Sequence, residues 1–386
     1  MKIDLITLQA VSNYGSVLQT FATQEFFRQH GCEVRIINYA RPDLVGSLNV
    51  WPNILRSVKG KIWKLPFRLR RVLTSCKRVN TFGGFRKKYL NIMQGKQYIT
   101  TQDFAGYTTD ADAFCTGSDQ VWNSWWNGGI LPEFYLAFAP EGSYKFAFSA
   151  SFGKSDIDDE EVSATQKYID DYRHISVRED EGLKILQDKY HYNRAVHVQD
   201  PTLCIDGDTW RKYAGCTNCG GGGSKPYIFI YKIYANEEAS LKIDRYAEEL
   251  SRRTGLRIIR FCGSYAQKLK AVFSREKYVV YPKVFKFISL INNARYVLTD
   301  SFHGTAFSLN LNTEPICFLP DMFSGRLASI LRLTGTLHRR VNGYDDFDVI
   351  NRPVDFGHVN SVLDAERKKA SDWLQMVLAE IREHTS

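Results

Sequence analysis

The sequence has no apolar run approaching the roughly 18–20 residues that a membrane span requires, so no transmembrane helix is expected. Its opening, MKIDLITLQAVSNYGS, alternates like a strand. It lacks the long apolar stretch and small-residue cleavage site of a signal peptide, and a cytoplasmic protein is expected. No internal repeat is present, which excludes solenoids and propellers. There is no HExxH, no GxSxG, no kinase set and no carboxylate pair with a clear metal role. Chemistry without a metal or bound cofactor is therefore the expectation. Four consecutive glycines in GCTNCGGGGSKP do not form a phosphate loop, because Pro226 leads into a strand rather than Lys-Ser/Thr opening a helix.

Cysteine is thinly spread. The eight cysteines are scattered, several within apolar strand-like runs, and a disulfide framework is not expected. Cys216 and Cys219 form the one close pair. With no second pair at ligand spacing they read as thiols in a linker rather than a zinc site.

Acidic residues are missing from one long stretch. Between Leu44 and Gln102 there is no Asp or Glu, while Arg56, Lys64, Arg68, Arg70, Arg71, Arg78 and Lys87 are among its many cations. Trp51, Trp63, Phe67 and Leu69 lie between them. Two readings stay open for residues 50–90: a solvated helical excursion, or a surface that meets anionic lipid. Nucleic acid is not expected, since no recognisable binding motif accompanies the charge. Pro52 and Pro66 are expected to break any single long helix here.

The remainder is rich in apolar residues (44%) and aromatics (13%), enough for a large core and for sugar-stacking surfaces. At 386 residues, two domains are expected. Lys2–Leu8, a helix over Ser16–Gln29 and Glu33–Asn38 make a βαβ opening, which argues for a parallel sheet. Strands follow at 111–116, 144–150, 175–177 and 195–198. The alternation restarts at Tyr227–Tyr231 and continues through 257–261, 278–281, 295–298 and 315–319. A long amphipathic helix is predicted over 364–383. The expected organisation is an N-terminal α/β domain over 1–214, carrying a basic insertion at about 50–95. A Gly-rich linker at 215–226, a second α/β domain over 227–360 and a C-terminal helix over 361–386 complete it. Two such halves are expected to place ligands in a cleft facing the carboxyl ends of their strands.

Four short segments sit at those strand ends. TDSFHGTAFSLN joins a strand to a helix and brings Asp300, Ser301 and His303 together. Backbone N–H groups at the helix start favour an anion, beside which His303 becomes a candidate general acid. Asp or Ser as helix cap with His as a hydrogen-bonding turn residue is the structural alternative, which composition alone favours. GSDQVWN has the same placement in the first half, and Asp119, Gln120, Trp122 and Asn123 read either as a sugar platform or as a cap with a packed Trp. Trp125 and Trp126 extend that platform. NYGSVLQ follows the first strand, and a single Gly there does not imply a dinucleotide. In SVRE, Arg178 reads as an anion fork or as the partner of Glu179 or Asp180. Lys232 and Arg326 are further candidate anion contacts.

Taken in order, NYGSVLQ, GSDQVWN, SVRE followed by DPTL, and TDSFHGTAFSLNLNTEPICF resemble the polysaccharide pyruvyl transferase family. The resemblance spans nearly the whole chain. It implies two Rossmann-like domains facing a cleft, similar to the GT-B glycosyltransferase architecture, with the C-terminal helix crossing back to the first domain. It implies phosphoenolpyruvate as co-substrate, a sugar or lipid-linked oligosaccharide as acceptor, and a cyclic pyruvate ketal plus phosphate as products. His303 would be the catalytic acid, with Arg178, Ser301, Phe302, Gly304, Lys232 and Arg326 on the donor. Asn13, Tyr14, Gln19, Asp119, Gln120, Trp122 and Asn123 would face the acceptor. Some members carry Arg where this chain has Ser301, so phosphate binding would rest more on backbone N–H groups and on Lys232 or Arg326. Peripheral attachment at the inner membrane face would follow from the basic segment. A nucleotide-sugar glycosyltransferase and a non-catalytic carbohydrate-binding protein are the competing readings.

Overall fold

The computed structural model describes residues 1–44, 65–216, 226–233, 236–263, 277–319, 324–341 and 343–385. The start of the basic insertion, through residue 64, and the four-glycine run lie outside them. The chain divides into two compact units. Unit 1 comprises Met1–Gly46, Arg86–Ile205 and Asp364–Ser386. Unit 2 comprises Ser47–Phe85 and Asp206–Leu363.

Unit 1 holds a six-stranded parallel sheet. Its strands are β1 (Lys2–Ile6), β2 (Glu33–Ile36), β3 (Ala113–Thr116), β4 (Lys145–Ala150), β5 (His174–Val177) and β6 (Val196–His197), in the order β2-β1-β3-β4-β5-β6. Strands buried on both faces read as continuous apolar runs, and KFAFSA of β4 is buried at every position. On one face Phe27 stacks on Phe146 with ring centroids 6.1 Å apart, and Phe148 meets Trp373 of the C-terminal helix at 6.0 Å. That helix, Phe356–Thr385, also buries Leu374, Val377 and Ile381. From Asp364 onward it belongs to unit 1. Glu380 accepts from His174 at 2.7 Å and from the Tyr144 hydroxyl at 3.2 Å. The opposite face carries Trp122, Tyr135, Phe152 and Tyr172.

Unit 2 holds a five-stranded parallel sheet of β7 (Tyr227–Tyr231), β8 (Arg257–Cys262), β9 (Lys277–Val280), β10 (Tyr296–Thr299) and β11 (Glu314–Cys317), ordered β11-β10-β7-β8-β9. The helix Gly207–Ala214 belongs here rather than to the first domain, which moves the boundary from 214 to Ile205/Asp206. The reason is packing. Trp210 meets Phe307 at 5.1 Å and Tyr213 stacks on Phe285 at 5.5 Å. Gly207 lies so close to the Asn310 carbonyl that a Cβ would sit 2.2 Å from that oxygen.

Pro52 lies outside the described residues, and Pro66 stands at the start of the described basic helix. It occupies the first turn of Leu65–Tyr89, where a missing N–H costs nothing and the fixed φ suits the helix. This helix packs on unit 2 through Phe82 against Tyr281 and Phe85 against Phe285, at 6.0 and 5.2 Å. Arg70, Arg71 and Leu73 face solvent. Among the described residues, no helix is long and apolar enough to cross a membrane.

Candidate functional site

In each sheet the strand order reverses direction once, and loops leaving the two strands at that point diverge to opposite faces and leave a crevice. In unit 2 this switch point lies between β7 and β10, and in unit 1 between β1 and β3.

At the unit 2 switch point, β10 ends at Thr299 and the helix Phe302–Asn310 begins after two intervening residues, Asp300 and Ser301. Ser301 is its cap: its hydroxyl accepts from the Gly304 N–H at 3.3 Å. The Thr299 hydroxyl accepts from the Ser301 N–H at 3.0 Å. Gly304 packs directly on Thr299, where a Cβ would fall 2.4 Å from the hydroxyl oxygen. Asp300 accepts from the Ile233 N–H at 2.7 Å, fixing the loop after β7 to the loop after β10. His303 therefore sits in the first helical turn, 8% exposed, its ring edge-on to Phe302 at 5.2 Å between centroids. The first-turn N–H groups and the helix dipole give this corner a positive electrostatic face.

Lys232 leaves the end of β7 but is already committed. Its ammonium donates to the Ser240 carbonyl at 2.7 Å and to Asp244, which Arg260 also contacts. Burial lowers its pKa, and Asp244 opposes that shift. This Lys is a structural ion pair rather than a free anion contact. Arg326, 5% exposed, lies in the first turn of the helix Ser324–Leu333.

At the strand ends of unit 1, Arg178 follows β5 with its side chain fully buried. Nη1 donates to Asp200 at 2.6 Å, Nε to Glu179 at 2.9 Å, and Nη2 to Asp119 at 3.3 Å. Hydroxyls complete the carboxylates: Ser16 donates to Asp119 at 2.6 Å, Ser151 to Glu179 at 2.8 Å and Thr202 to Asp200 at 2.7 Å. Burial would lower the guanidinium pKa, but Glu179, Asp200 and Asp119 outweigh it and hold Arg178 charged. Three carboxylates around one cation repel a further anion. Arg178 consequently does not fit the expected role of gripping a donor anion; it is the hub that joins β3, β5 and β6.

The expected acceptor residues divide in the same way. Asp119, at the β1/β3 switch point, takes the left-handed backbone (φ 75°) that an Asp tolerates better than most residues. The Asn13 side chain caps the helix Tyr14–Gln29 by accepting from the Gly15 N–H at 2.7 Å. Tyr14 is buried, and the amide of Gln19, also buried, donates to Thr7 at 2.9 Å. Gln120 accepts from Asn123 at 2.6 Å, and Asn123 caps the turn Ser124–Asn127. Trp122 cannot stack on a sugar. It is 1% exposed, donates its indole N–H to the Phe134 carbonyl at 3.1 Å and stacks on Tyr135. Among the described residues, the most exposed indoles are those of Trp125 and Trp126.

Asp200 as a partner of Arg178, and Ser16 and Ser151 as donors to the carboxylates around it, were not recognisable from sequence. The one available signal was Asp200 before Pro201, the pattern of a capped helical turn. Among the described residues no group of three or more His, Cys, Asp or Glu side chains is arranged to hold a metal ion.

No curated protein matches the sequence. Among solved structures, a Listeria monocytogenes protein assigned as a UDP-N-acetylglucosamine 2-epimerase is similar at TM-score 0.54 and 10% identity, covering 100% of this chain and 97% of that one. The UDP-N-acetylglucosamine 2-epimerase of Rickettsia bellii gives 0.52 and 10%, covering 99% and 97%. At that identity the likeness concerns the fold, the two Rossmann-like units of the GT-B class. The family model for polysaccharide pyruvyl transferase matches residues 13–321, from the loop after β1 to beyond β11. The chain belongs to the polysaccharide pyruvyl transferase family.

Proposed function

We propose that this chain transfers the pyruvyl group of phosphoenolpyruvate to two hydroxyls of one sugar in a surface polysaccharide or its lipid-linked precursor, releasing phosphate. Family membership supports pyruvylation of polysaccharide. The observation that carries the finer reading is His303 in the first turn of Phe302–Asn310, at the end of β10 beside the switch point.

In this reading the protonated imidazole of His303 gives its proton to the methylene carbon of phosphoenolpyruvate, which becomes a methyl group. The adjacent carbon gains oxocarbenium character and one sugar hydroxyl adds to it. The bond from that carbon to the phosphate oxygen then breaks, and the second hydroxyl closes the ketal ring. Of the two hydroxyl protons lost, one restores His303 and the other leaves on phosphate. The first-turn N–H groups of the helix, with Ser301, Phe302 and Gly304 shaping the turn, hold the departing phosphate. Arg326 contributes positive charge from the helix Ser324–Leu333. Lys232 is not needed in this role.

The exposed Arg70 and Arg71 of an acid-free helix support a second element of the proposal, contact with anionic lipid. That contact would bring the enzyme to a lipid-linked acceptor.

The test is incubation with phosphoenolpyruvate and candidate glycans, following phosphate release and a carboxyethylidene mass increment on the glycan. Turnover that instead requires a nucleotide sugar would make the protein a glycosyltransferase. Sugar binding that is unaffected by His303→Ala, with no turnover from either donor, would make it a carbohydrate-binding protein.

A further inference from the structure

Trp122, expected to face the acceptor, is buried, whereas two neighbouring indoles are exposed. The turn Ser124–Asn127 carries Trp125, 60% exposed, and Trp126, 38% exposed. Large indoles standing in water are uncommon on a soluble surface and mark sites of interaction. What holds this turn is unusually complete for four residues. Asn123 accepts from the Trp126 N–H at 3.0 Å. Arg41, itself buried, donates to the Trp126 carbonyl at 3.1 Å and to the Asn127 side chain at 2.6 Å. Asn127 donates to the carbonyls of Gln120 and Val121, both at 3.0 Å. Ser124 donates to Glu161 at 2.8 Å and accepts from Lys154 at 2.6 Å. The backbone is thus fixed while more than half of the Trp125 surface remains in water.

Lys154 also lines an open depression of about 360 Å³, together with Asp156, Ile157, Asp158, Asp159 and Lys189. Small-molecule sites begin at roughly 300 Å³. The lysine that braces the tryptophan turn is therefore one wall of this depression. Three carboxylates and two ammonium groups offer both acceptors and donors, and Lys189 bridges Asp159 at 3.3 Å and Asp156 at 3.7 Å. The excess of carboxylate disfavours a phosphate or an anionic lipid surface. Neutral hydroxyls suit it, while an indole face suits the C–H face of a pyranose.

We infer that Trp125 and the Lys154–Asp159 depression form a binding subsite for neutral pyranose residues of the glycan acceptor. Trp125 stacks on a ring and the charged rim meets its hydroxyls. The inference rests on the pyruvyl transfer reading for its substrate class, and binding tests it without turnover.

The probes are neutral tetrasaccharides of glucose, galactose and N-acetylglucosamine, and the readouts are saturation-transfer NMR and quenching of tryptophan emission. At least one probe is expected to bind the full chain. Trp125→Ala should weaken it by about tenfold, the equivalent of ~1.4 kcal/mol, and Trp125→Phe should retain most of the affinity. Asp156→Asn with Asp159→Asn should weaken it while leaving the melting temperature unchanged. Absence of binding by every probe overturns the inference, as does binding that Trp125→Ala leaves intact. Sedimentation in which Trp125→Ala converts a dimer to a monomer also overturns it, making the indoles a subunit contact. Sugar binding through Trp125 without phosphate release from phosphoenolpyruvate would uphold the subsite and remove the pyruvyl transfer reading.

Discussion

Arg178 donates from Nη1 to Asp200 at 2.6 Å, and both side chains are fully buried. Glu179 and Asp119 lie on the same guanidinium, so three carboxylates share one buried cation. The consequence is a structural demand. Removing the cation leaves carboxylates buried without their counterion, a loss that typically costs about 3–5 kcal/mol. Arg178→Ala is expected to lower the unfolding free energy by an amount of that order, seen as a fall in the urea midpoint. Arg178→Lys should rescue little, because a point charge cannot serve three carboxylates through a planar fork. A fully stable Arg178→Ala protein would contradict this role.

His303→Ala should behave differently. Its side chain is only 8% exposed, so some loss of melting temperature is expected, but the larger effect falls on turnover. Loss of a general acid lowers turnover by roughly 10²–10⁴-fold. Phosphate release from phosphoenolpyruvate measures this directly, and undiminished release would remove His303 from the chemistry.

Gly207→Ala would drive a Cβ to within 2.2 Å of the Asn310 carbonyl, a backbone atom at the end of the helix that bears His303. Overpacking of this kind costs about 1–3 kcal/mol. Chemical denaturation should show a loss of that size, and an unchanged midpoint would mean that the two helices separate without penalty.

Glu380 supplies a pH signature. Its hydrogen bond to His174 holds the carboxyl below its ordinary value of 4.5, helped by Tyr144 and opposed by partial burial. A depressed carboxylate contributes stability that is present above its unfolded pKa and is lost as pH falls through the folded one. The contribution is small for so exposed a pair, roughly 0.2–1 kcal/mol. Hydrogen exchange of residues 364–385 should accelerate more steeply with acid in the native protein than in Glu380→Gln. Parallel acid profiles would show that the pair does not help dock the C-terminal helix.

The helix Leu65–Tyr89 predicts salt-sensitive co-sedimentation with anionic vesicles, reduced by Arg70→Glu with Arg71→Glu. Each basic residue near such a surface contributes about 1 kcal/mol. Equal recovery with neutral vesicles would make the helix an ordinary solvated one.

The parallel sheets were legible because strands such as Tyr227–Tyr231 are apolar runs, and helices such as Glu237–Thr254 keep a 3.6-residue stripe through Ile243, Tyr246, Ala247 and Leu250. The same local pattern located His303, since a strand, a capping Ser and a helix follow one another within a few residues. Arg178 was legible as a strand-end cation but not as a hub. Its partners Asp200 and Asp119 lie 22 and 59 residues away along the chain. Nothing local distinguishes a guanidinium that waits for an anion from one already enclosed by three. Trp122, Trp125 and Trp126 differ in the same manner. Three indoles within five positions have similar sequence surroundings, yet one enters the core beside Tyr135 and Tyr172 while two face water.

Sequence by itself determined the two-sheet α/β class, the order of its elements and the family, because these rest on short-range periodicity and on motifs read in succession. Tertiary structure alone decided which charges are spent and which aromatics are exposed. Burial and ion pairing depend on residues brought together across the sheet, and the free energy of a buried charge is set by those neighbours rather than by its own identity. For that reason His303 kept its candidacy, while Arg178 and Trp122 passed from the expected ligand contacts to the framework.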